Sequence, residues 1–501
     1  MEGTHNCRPI LDYCCDTRSC GLSHLKASLT MIDVTKHSGK NVGVLGLGAT
    51  GISAAKNLTR DGASVFAWDD SSQRRRLATG QGIRITNFVQ KGLGHLDFLL
   101  VSPGIPLFYP RPHRIALLAK EKGVRIVSDL ELLQEACPTA NYVGVTGTNG
   151  KSTVTALLGH LLRQSGKNIQ VGGNLGNPVL DLEMLGTDGI YVLELSSYQL
   201  DLASTIFLDT AIWTNLTPDH LERHGSLEAY IRAKKKIFMG AGGLAVIGVD
   251  DKQSQAVFDE LVSEGDRIVV PVSAEQPVAQ GISVVDGLLY DAIDSSPEFV
   301  MNVTNLAHLP GSHNWHNIAI AYAVIRLVGL SGSIFKESLE TYPGLPHRME
   351  KVGRYNGVTY VNDSKATNMA AAAKALACYS KVYWIMGGRA KAIDIDEVLP
   401  MSSRILYVYT IGESAAEFEK NLGGKFRVKN SGTLAKAVVD ATNDAMSDFD
   451  GGGVVLLSPA CASFDQFANF EARGTAFRQL VGKLSGSCKI NKPAAGTGAR
   501  E

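Results

Sequence analysis

The chain has no excess of charge of either sign: Lys and Arg total 49, and Asp and Glu total 49. No net field therefore singles out nucleic acid or a membrane surface as a partner. No apolar run reaches the length needed to span a bilayer. Residues 1–30 lack the apolar core of a signal peptide. Cysteine is scarce and ill-placed for a metal. Four of the eight fall at Cys7, Cys14, Cys15 and Cys20, in a spacing that matches no common zinc pattern, and Cys137, Cys378, Cys461 and Cys488 are scattered. A reducing cytoplasm fits such thiols. No compelling Ser-His-Asp or Cys-His set is visible, so nothing points to a protein nucleophile. What is present is ordinary globular composition, 45% hydrophobic and 20% charged, over 501 residues. That length allows about three domains, each with its own core. Met31 opens a stretch that looks like a natural start, so residues 1–30 are expected to be a mis-assigned gene start or a disordered leader, and residues 486–501 a frayed tail.

The rest is organised around Gly144-Val-Thr-Gly-Thr-Asn-Gly-Lys-Ser-Thr-Val-Thr155, which follows a β-branched apolar run and leads into a helical Ala-Leu-Leu-Gly-His-Leu-Leu. Strand, glycine loop, Lys-Ser-Thr and helix make a phosphate cradle. The N–H groups of Gly147, Thr148, Asn149 and Gly150 and the helix N-terminus face the anion, Lys151 neutralises it, and a hydroxyl of Ser152 or Thr153 can hold Mg²⁺. The spacing is a variant: Val145 stands where the standard pattern has its first glycine, flanked by Gly144 and Gly147.

Upstream, the strand Asn41–Leu45 runs into Gly46-Leu-Gly-Ala-Thr-Gly51 and a helix, the fingerprint of a nucleotide pyrophosphate site. The strand Ser64–Trp68 ends in Asp69 and Asp70, at the right distance for a ribose contact. Alone this reads as an NAD dehydrogenase, but other diphosphate nucleotides use the same loop. Strand Phe98–Val101 leads into Ser102-Pro-Gly-Ile-Pro106, which makes Ser102 and Gly104 ligand candidates at a strand's carboxyl end. In Gly172-Gly-Asn-Leu-Gly-Asn177, Asn174 either touches a ligand or belongs to a plain turn. Glu194 interrupts an apolar strand, which is costly unless it is paired or bound to a metal, here Mg²⁺. His220, past the strand that begins at Ala211, is a ligand or a satisfied structural histidine. Lys234 lies on the helical face defined by Leu227, Tyr230, Ile231, Ile237 and Phe238. Either it snorkels, or it carries a carbamate that turns a cation into an anionic oxygen ligand. Asn317 begins an alanine-rich helix, reading a base or capping. Arg348 enters a cleft or sits on the surface. Polar clusters follow the strands ending near Asp363, Met386 and Leu457, so they can converge on one rim.

These motifs together resemble the Mur ligase family, over about residues 31–485. The resemblance rests on Gly-Thr-Asn-Gly-Lys-Ser-Thr at 147–153, Glu194-Leu-Ser-Ser, Asp219-His220, Gly311-x-His-Asn-x-x-Asn317, Leu345-Pro-His-Arg348 and Asp363-Ser-Lys-Ala-Thr-Asn368. Ser-Pro-Gly-Ile-Pro at 102–106 and the run from Ser458 to Gly474 favour the D-glutamate-adding branch, and the Asp-Asn-Pro-Arg motif of the diaminopimelate-adding branch is absent. The resemblance implies an α/β fold of three domains. Residues 31–136 would form a Rossmann-like UDP-substrate domain, 137–342 a P-loop-type ATPase domain with a mainly parallel sheet, and 343–485 a Rossmann-like amino-acid domain.

It further implies that Gly48, Ala49, Thr50 and Asp69 contact UDP, joined by the loop candidates Ser102, Gly104 and Asn174. Lys151, Ser152 and Thr153 would hold ATP phosphates and Mg²⁺, with Asn317, Arg348 and Asp363 on adenine, phosphate and ribose. Glu194, His220 and a carbamylated Lys234 would serve two Mg²⁺ ions. Lys365, Thr367, Lys391, Ser463 and Phe470 would grip D-glutamate. The implied reaction joins D-glutamate to UDP-N-acetylmuramoyl-L-alanine through an acyl phosphate made with ATP, in the cytoplasm and by a monomer. Lys151, His220 and Lys234 would be the catalytic set. Another amino-acid ligase of the same family, such as a folylpolyglutamate-synthase-like enzyme, is the near rival. An NAD-linked oxidoreductase and a non-catalytic nucleotide switch are the distant ones.

Overall fold

The computed structural model describes residues 31–484 except 241, 295, 305, 307, 391–394 and 449–451. The expectations for the first thirty residues, for the tail and for Lys391 lie outside the described residues. Each glycine-rich loop singled out above sits at the carboxyl end of a parallel strand. The strands read as unbroken apolar runs because helices cover both faces of a parallel sheet.

The first sheet has the order β2-β1-β3-β4, from β1 (Asn41–Leu45), β2 (Ser64–Trp68), β3 (Phe98–Val101) and β4 (Arg125–Val127), all parallel. The second is built from β5 (Asn141–Thr146), β6 (Ile169–Gly173), β7 (Ile190–Glu194), β8 (Thr210–Trp213), β9 (Leu244–Gly248), β10 (Ile268–Ser273), β11 (Ile282–Val285), β12 (Leu288–Asp291) and β13 (Glu298–Asn302). Its order is β13-β12-β11-β10-β9-β8-β5-β7-β6, with β11 and β12 antiparallel. The third contains β14 (Glu350–Tyr355), β15 (Val358–Asn362), β16 (Val382–Gly387), β17 (Ile405–Ile411), β18 (Val428–Gly432) and β19 (Gly453–Leu457). Its order is β14-β15-β19-β16-β17-β18, parallel but for the edge strand β14. The α/β class with mainly parallel sheets is as the sequence indicated.

The chain divides into two compact units. One runs to Met301 and takes in His316–Leu339; the other takes in Asn302–Trp315 and everything from Glu340 onward. The first unit contains both of the first two sheets, which share one apolar core from Val42 and Leu100 to Trp213 and Ile247. Polar contacts add to it. On the helix Ala49–Arg60, Ser53 Oγ and Asn57 Nδ2 donate to Asp181 Oδ1 at 2.7 and 3.0 Å. Glu131, in a capping box with Ser128, accepts from the hydroxyls of Ser204 and Thr205. The change of sheet near residue 137 is therefore not a change of compact unit. Among the described residues, no helix is long and apolar enough to cross a membrane.

Candidate active site

Within the first unit, the carboxyl ends of β1 and β3 face those of β5 and β7 across a cleft of about 660 Å³. Gly48, Ala49, Thr50, Ser102 and Gly104 line it from the first sheet, and Lys151, Asn174, His220 and Lys234 from the second.

The first-sheet loop is held by tight backbone geometry. Gly46 has φ +92°, and a Cβ at Gly51 would lie 1.8 Å from Gly46 O. Ser102 Oγ donates to Gly46 O at 2.7 Å. Asp69 is buried and accepts from the N–H groups of Leu47 and Ser71 at 2.7 and 2.8 Å. Its carboxylate thus fixes the glycine loop, and it is Arg74, 3.4 Å from Asp69 Oδ2, that reaches the cleft.

The phosphate cradle follows β5. Gly147 (φ +143°) and Gly150 (φ +84°) adopt conformations open to glycine, and a Cβ at Gly147 would lie 1.9 Å from Thr214 Oγ1. Asn215 clamps the loop, its Oδ1 accepting from Asn149 N and its Nδ2 donating to Asn149 O. Gly150 is the left-handed N-cap of the helix Lys151–Gln164, so the first N–H groups of that helix point at the space above the loop. Lys151 Nζ donates to Gly147 O and Thr148 O at 2.9 and 2.8 Å. A Cβ on Gly150 would meet Asn317 Oδ1 at 2.3 Å, which brings Asn317 to the cradle.

Lys234 is 1% exposed, so it does not snorkel. Its Nζ donates to Thr146 Oγ1 at 3.2 Å and Gly147 O at 2.7 Å, and lies 4.9 Å from the Tyr230 ring centroid. Burial first, and then the Lys151 charge, hold its amine well below the usual lysine range. Glu194 is equally buried: Oε1 accepts from Asn174 Nδ2 at 2.6 Å, and Oε2 has no hydrogen-bond partner. Asn174 is therefore more than a turn residue, since it joins the cleft to Glu194. His220 has left-handed backbone (φ +53°), with Nδ1 3.2 Å from the Tyr198 hydroxyl and Nε2 3.5 Å from Asp219 Oδ2.

The second unit gathers the third-sheet candidates. Asp363, buried after β15, accepts from Ser458 Oγ at 2.8 Å and Met349 N at 3.2 Å. Burial lifts its carboxyl to about 7, against the pull of the Arg348 charge. Lys365 Nζ lies 4.1 Å from the Phe470 ring centroid. Ser463 is buried in the loop after β19, and Thr367 is half-buried in the loop after β15. Asp363, Lys365, Ser463 and Phe470 thus share one rim of the sheet, the convergence that their positions after strands suggested.

Sequence reasoning missed several residues. Arg74 carried no signal in its polar helix. Tyr230 reads as core by period, yet its hydroxyl hydrogen-bonds that of Thr148 at 3.2 Å. Arg223 is buried: Nη1 donates to Tyr109 O at 3.1 Å and pairs with Asp201 at 3.4 Å, and its guanidinium lies over Tyr198. Only tertiary proximity reveals it.

Matches to known proteins agree with this geometry. Residues 40–128 match the Mur ligase MurD-like N-terminal domain, 145–325 the Mur ligase middle domain, and 347–461 the Mur ligase glutamate ligase domain. A nucleotide-loop sheet and a phosphate-cradle sheet sharing one cleft, followed by a third α/β sheet, place the chain in the Mur ligase family, to which it belongs. It is 44% identical over 470 residues to the UDP-N-acetylmuramoylalanine–D-glutamate ligase of Rhodospirillum rubrum, covering 92% of this chain and 98% of that one. Among solved structures, it shares its fold with the UDP-N-acetylmuramate-alanine ligase MurC of Thermotoga maritima (TM-score 0.55, 17% identity, 89% of this chain and 99% of that one). The MurF ligase of the same organism, solved in complex with ADP, gives a TM-score of 0.52 at 18% identity, covering 92% of this chain and all of that one.

Proposed function

We propose that the chain joins D-glutamate to UDP-N-acetylmuramoyl-L-alanine at the expense of ATP, a step in making the peptidoglycan precursor. The observation that carries this is the shared cleft: a diphosphate-nucleotide loop and a γ-phosphate cradle open onto one space, so an acid tethered to a nucleotide can meet the phosphoryl donor. Relatives across almost the whole chain bear the name of that ligase.

A carboxylate does not react with an amine at neutral pH, because oxide would have to leave. In the proposed path, an oxygen of the alanyl carboxylate attacks the γ-phosphorus and the bond to ADP breaks, giving an acyl phosphate. The neutral amine of D-glutamate then attacks the carbonyl, the C–O bond to phosphate breaks, and the amine gives up its proton. Lys151 and the helix N-terminus stabilise the charge that moves to the leaving phosphates. Gly48, Ala49, Thr50, Ser102, Gly104 and Asn174 place the sugar nucleotide; Asp69 acts by fixing their loop. Asn317, Arg348 and Asp363 keep the roles of base, phosphate and ribose contacts. Lys365, Thr367, Ser463 and Phe470 hold D-glutamate, as does Lys391, outside the described residues. His220 is a candidate to receive the amine proton.

Mg²⁺ fits this donor set. Glu194 Oε2 is buried with no partner, which is costly for a carboxylate unless a cation completes it. His220 lines the cleft with Lys151, and Ser152 and Thr153 follow Lys151 in the first turn of its helix. Among the described residues, no three His, Cys, Asp or Glu side chains gather around one point. The remaining ligands would therefore be hydroxyls, ATP oxygens and a carbamate on Lys234, whose amine burial and the Lys151 charge hold well below the usual lysine range. The ions would supply charge neutralisation on the phosphates. Free buried thiols at Cys137 and Cys461 and the use of ATP suit a reducing cytoplasm.

The test is phosphate release with each pair of acceptor and amino acid supplied in turn. UDP-N-acetylmuramoyl-L-alanine with D-glutamate is expected to be the active pair, and ¹⁸O placed in the alanyl carboxylate should appear in the inorganic phosphate. Activity only with a folate acceptor, or label confined to the peptide, would overturn the proposal.

A further inference from the structure

Strand β3 hands the chain to residues 103–112, a segment with little bonding of its own. Pro103, Pro106, Pro110 and Pro112 have no N–H to donate. Its backbone hydrogen bonds are Ile105 N to Ser102 O at 3.0 Å and His113 N to Pro106 O at 2.9 Å. Pro103, Gly104 and Ile105 nevertheless line the cleft, while Phe108 and Tyr109 are exposed. Among the described residues, Arg223 is the one side chain that hydrogen-bonds this segment. It belongs to the short helix Leu221–His224, directly after His220. Nη1 donates to Tyr109 O at 3.1 Å and Nη2 to Ile105 O at 3.5 Å. Nη1 also pairs with Asp201 Oδ2 at 3.4 Å, on the helix Ser197–Leu202. The guanidinium carbon lies 5.3 Å from the centroid of the Tyr198 ring, and Nε is buried with no hydrogen-bond partner. Tyr198 in turn lines the cleft, its hydroxyl 3.2 Å from His220 Nδ1. The Tyr109 ring packs against Gly225 (φ +85°), where a Cβ would lie 3.1 Å from it.

The shape of this donor set explains the arginine. A planar guanidinium presents its N–H groups in a fixed fork, so one side chain holds two carbonyls of one segment and a carboxylate of another, with a ring against its face. Lysine, a point donor on a flexible stem, cannot keep all of these in one geometry. Arg223 is 7% exposed and lies behind the residues that line the cleft. It therefore acts on a ligand only through what it holds: residues 103–105 on one wall, and Tyr198 with His220 on the other. The pyrophosphate loop is fastened separately, by Ser102 Oγ on Gly46 O and by Asp69 on the Leu47 N–H. Seating a nucleotide and placing what is tethered to it thus depend on different bonds.

We propose that Arg223 is a positioning residue for the acceptor: it straps residues 103–110 to the wall made by Tyr198 and His220, and so sets where the tethered carboxylate meets the phosphate cradle. This rests on the ligase reading above. Without the fork, the strap loses its side-chain anchor and the Asp201 carboxylate loses its guanidinium, while the nucleotide end keeps its seat. Misplacing a reacting group by about 1 Å can cost about a hundredfold in rate.

The test compares wild type, Arg223→Gln and Arg223→Lys by steady-state phosphate release and by calorimetric titration with UDP, which has the diphosphate but neither the sugar nor the alanyl carboxylate. Arg223→Gln is expected to lower kcat at least about tenfold, with the Kd of UDP and the KM of ATP within about twofold of wild type. A smaller fall in kcat would overturn the proposal. So would a loss of more than about twofold in UDP or ATP binding, the mark of a general loss of structure. Arg223→Lys keeps a charge beside Asp201 without the fork, so its kcat should stay at least about fivefold below wild type; better recovery would show that charge alone matters and be fatal to the strap. Should Arg223→Gln not fold, Arg223→Lys decides by the same measurements. A wild type that binds UDP but is inert with UDP-N-acetylmuramoyl-L-alanine and D-glutamate would instead defeat the ligase reading, a result distinct from either.

Discussion

Replacing Lys234 by Met separates stability from activity. The Lys234 amine makes two hydrogen bonds, to Thr146 Oγ1 and Gly147 O. Such bonds contribute about 0.5–1.5 kcal/mol each, and more when charged. The contact with the Tyr230 ring adds about 1 kcal/mol. Against this stands the burial of an amine that is 1% exposed, which costs several kcal/mol whenever the amine is charged, with Lys151 bonded to the same Gly147 carbonyl. The opposing terms are of similar size, and Met fills nearly the same volume. Lys234→Met should therefore melt within about 3 °C of wild type, on a scale where 1 kcal/mol moves a large domain by about 2–4 °C. Its turnover should fall at least about a hundredfold, because the carbamate proposed for Lys234 could no longer form and serve the proposed Mg²⁺. Differential scanning fluorimetry and phosphate release measure the two quantities on one sample. In Lys234→Ala, acetate or formate should restore part of the activity. Lys235→Ala should do neither harm nor good, since Lys235 pairs with Glu260 on the outside of the helix. Normal turnover in Lys234→Met, or inactive Lys235→Ala beside active Lys234→Ala, would refute the assignment of the helix face.

Lys151→Ala should abolish ATP-dependent phosphate release while leaving sugar-nucleotide binding by calorimetry intact. The first-sheet glycines should divide by geometry. Gly51→Ala, whose Cβ would collide with Gly46 O, should lower stability by about 3 kcal/mol or more in urea denaturation. Gly48→Ala meets nothing within 4 Å, so its melting point should hold while the KM for the UDP substrate rises several-fold. Asp363 gives a pH signature. The folded carboxyl titrates near 7 and the unfolded one at 3.8, so the native state binds the extra proton between those values. Its contribution is fullest below 3.8 and is lost as pH rises through 7, with a total near 4 kcal/mol at about 1.4 kcal/mol per pH unit. Asp363→Asn should therefore gain stability relative to wild type as pH climbs from 4 to 7; a constant difference would contradict the burial effect.

The sequence by itself determined the local elements and the chemistry they bear. A glycine loop between a buried strand and a helix has few conformations, so β1 with Gly46–Gly51 and β5 with Gly147–Lys151 could be read directly. Glu194 and Lys234 were conspicuous for a related reason, since a charge amid apolar periodicity is costly. The edge of the second sheet, β11 to β13, was not legible, because short half-exposed strands carry little period of their own. Sequence also left open whether Lys234 snorkels and whether Asn174 is only a turn residue, and it read Asp69 as a ribose contact. Tertiary structure decided the first two, because each depends on what approaches from elsewhere in the chain: Gly147 O on Lys234 and Glu194 on Asn174; it also brought the Leu47 N–H to Asp69. Arg473 belongs to the same class. Its residue type is unremarkable in sequence, and only the tertiary structure shows its guanidinium buried between Ser364, Gly387 and Cys461.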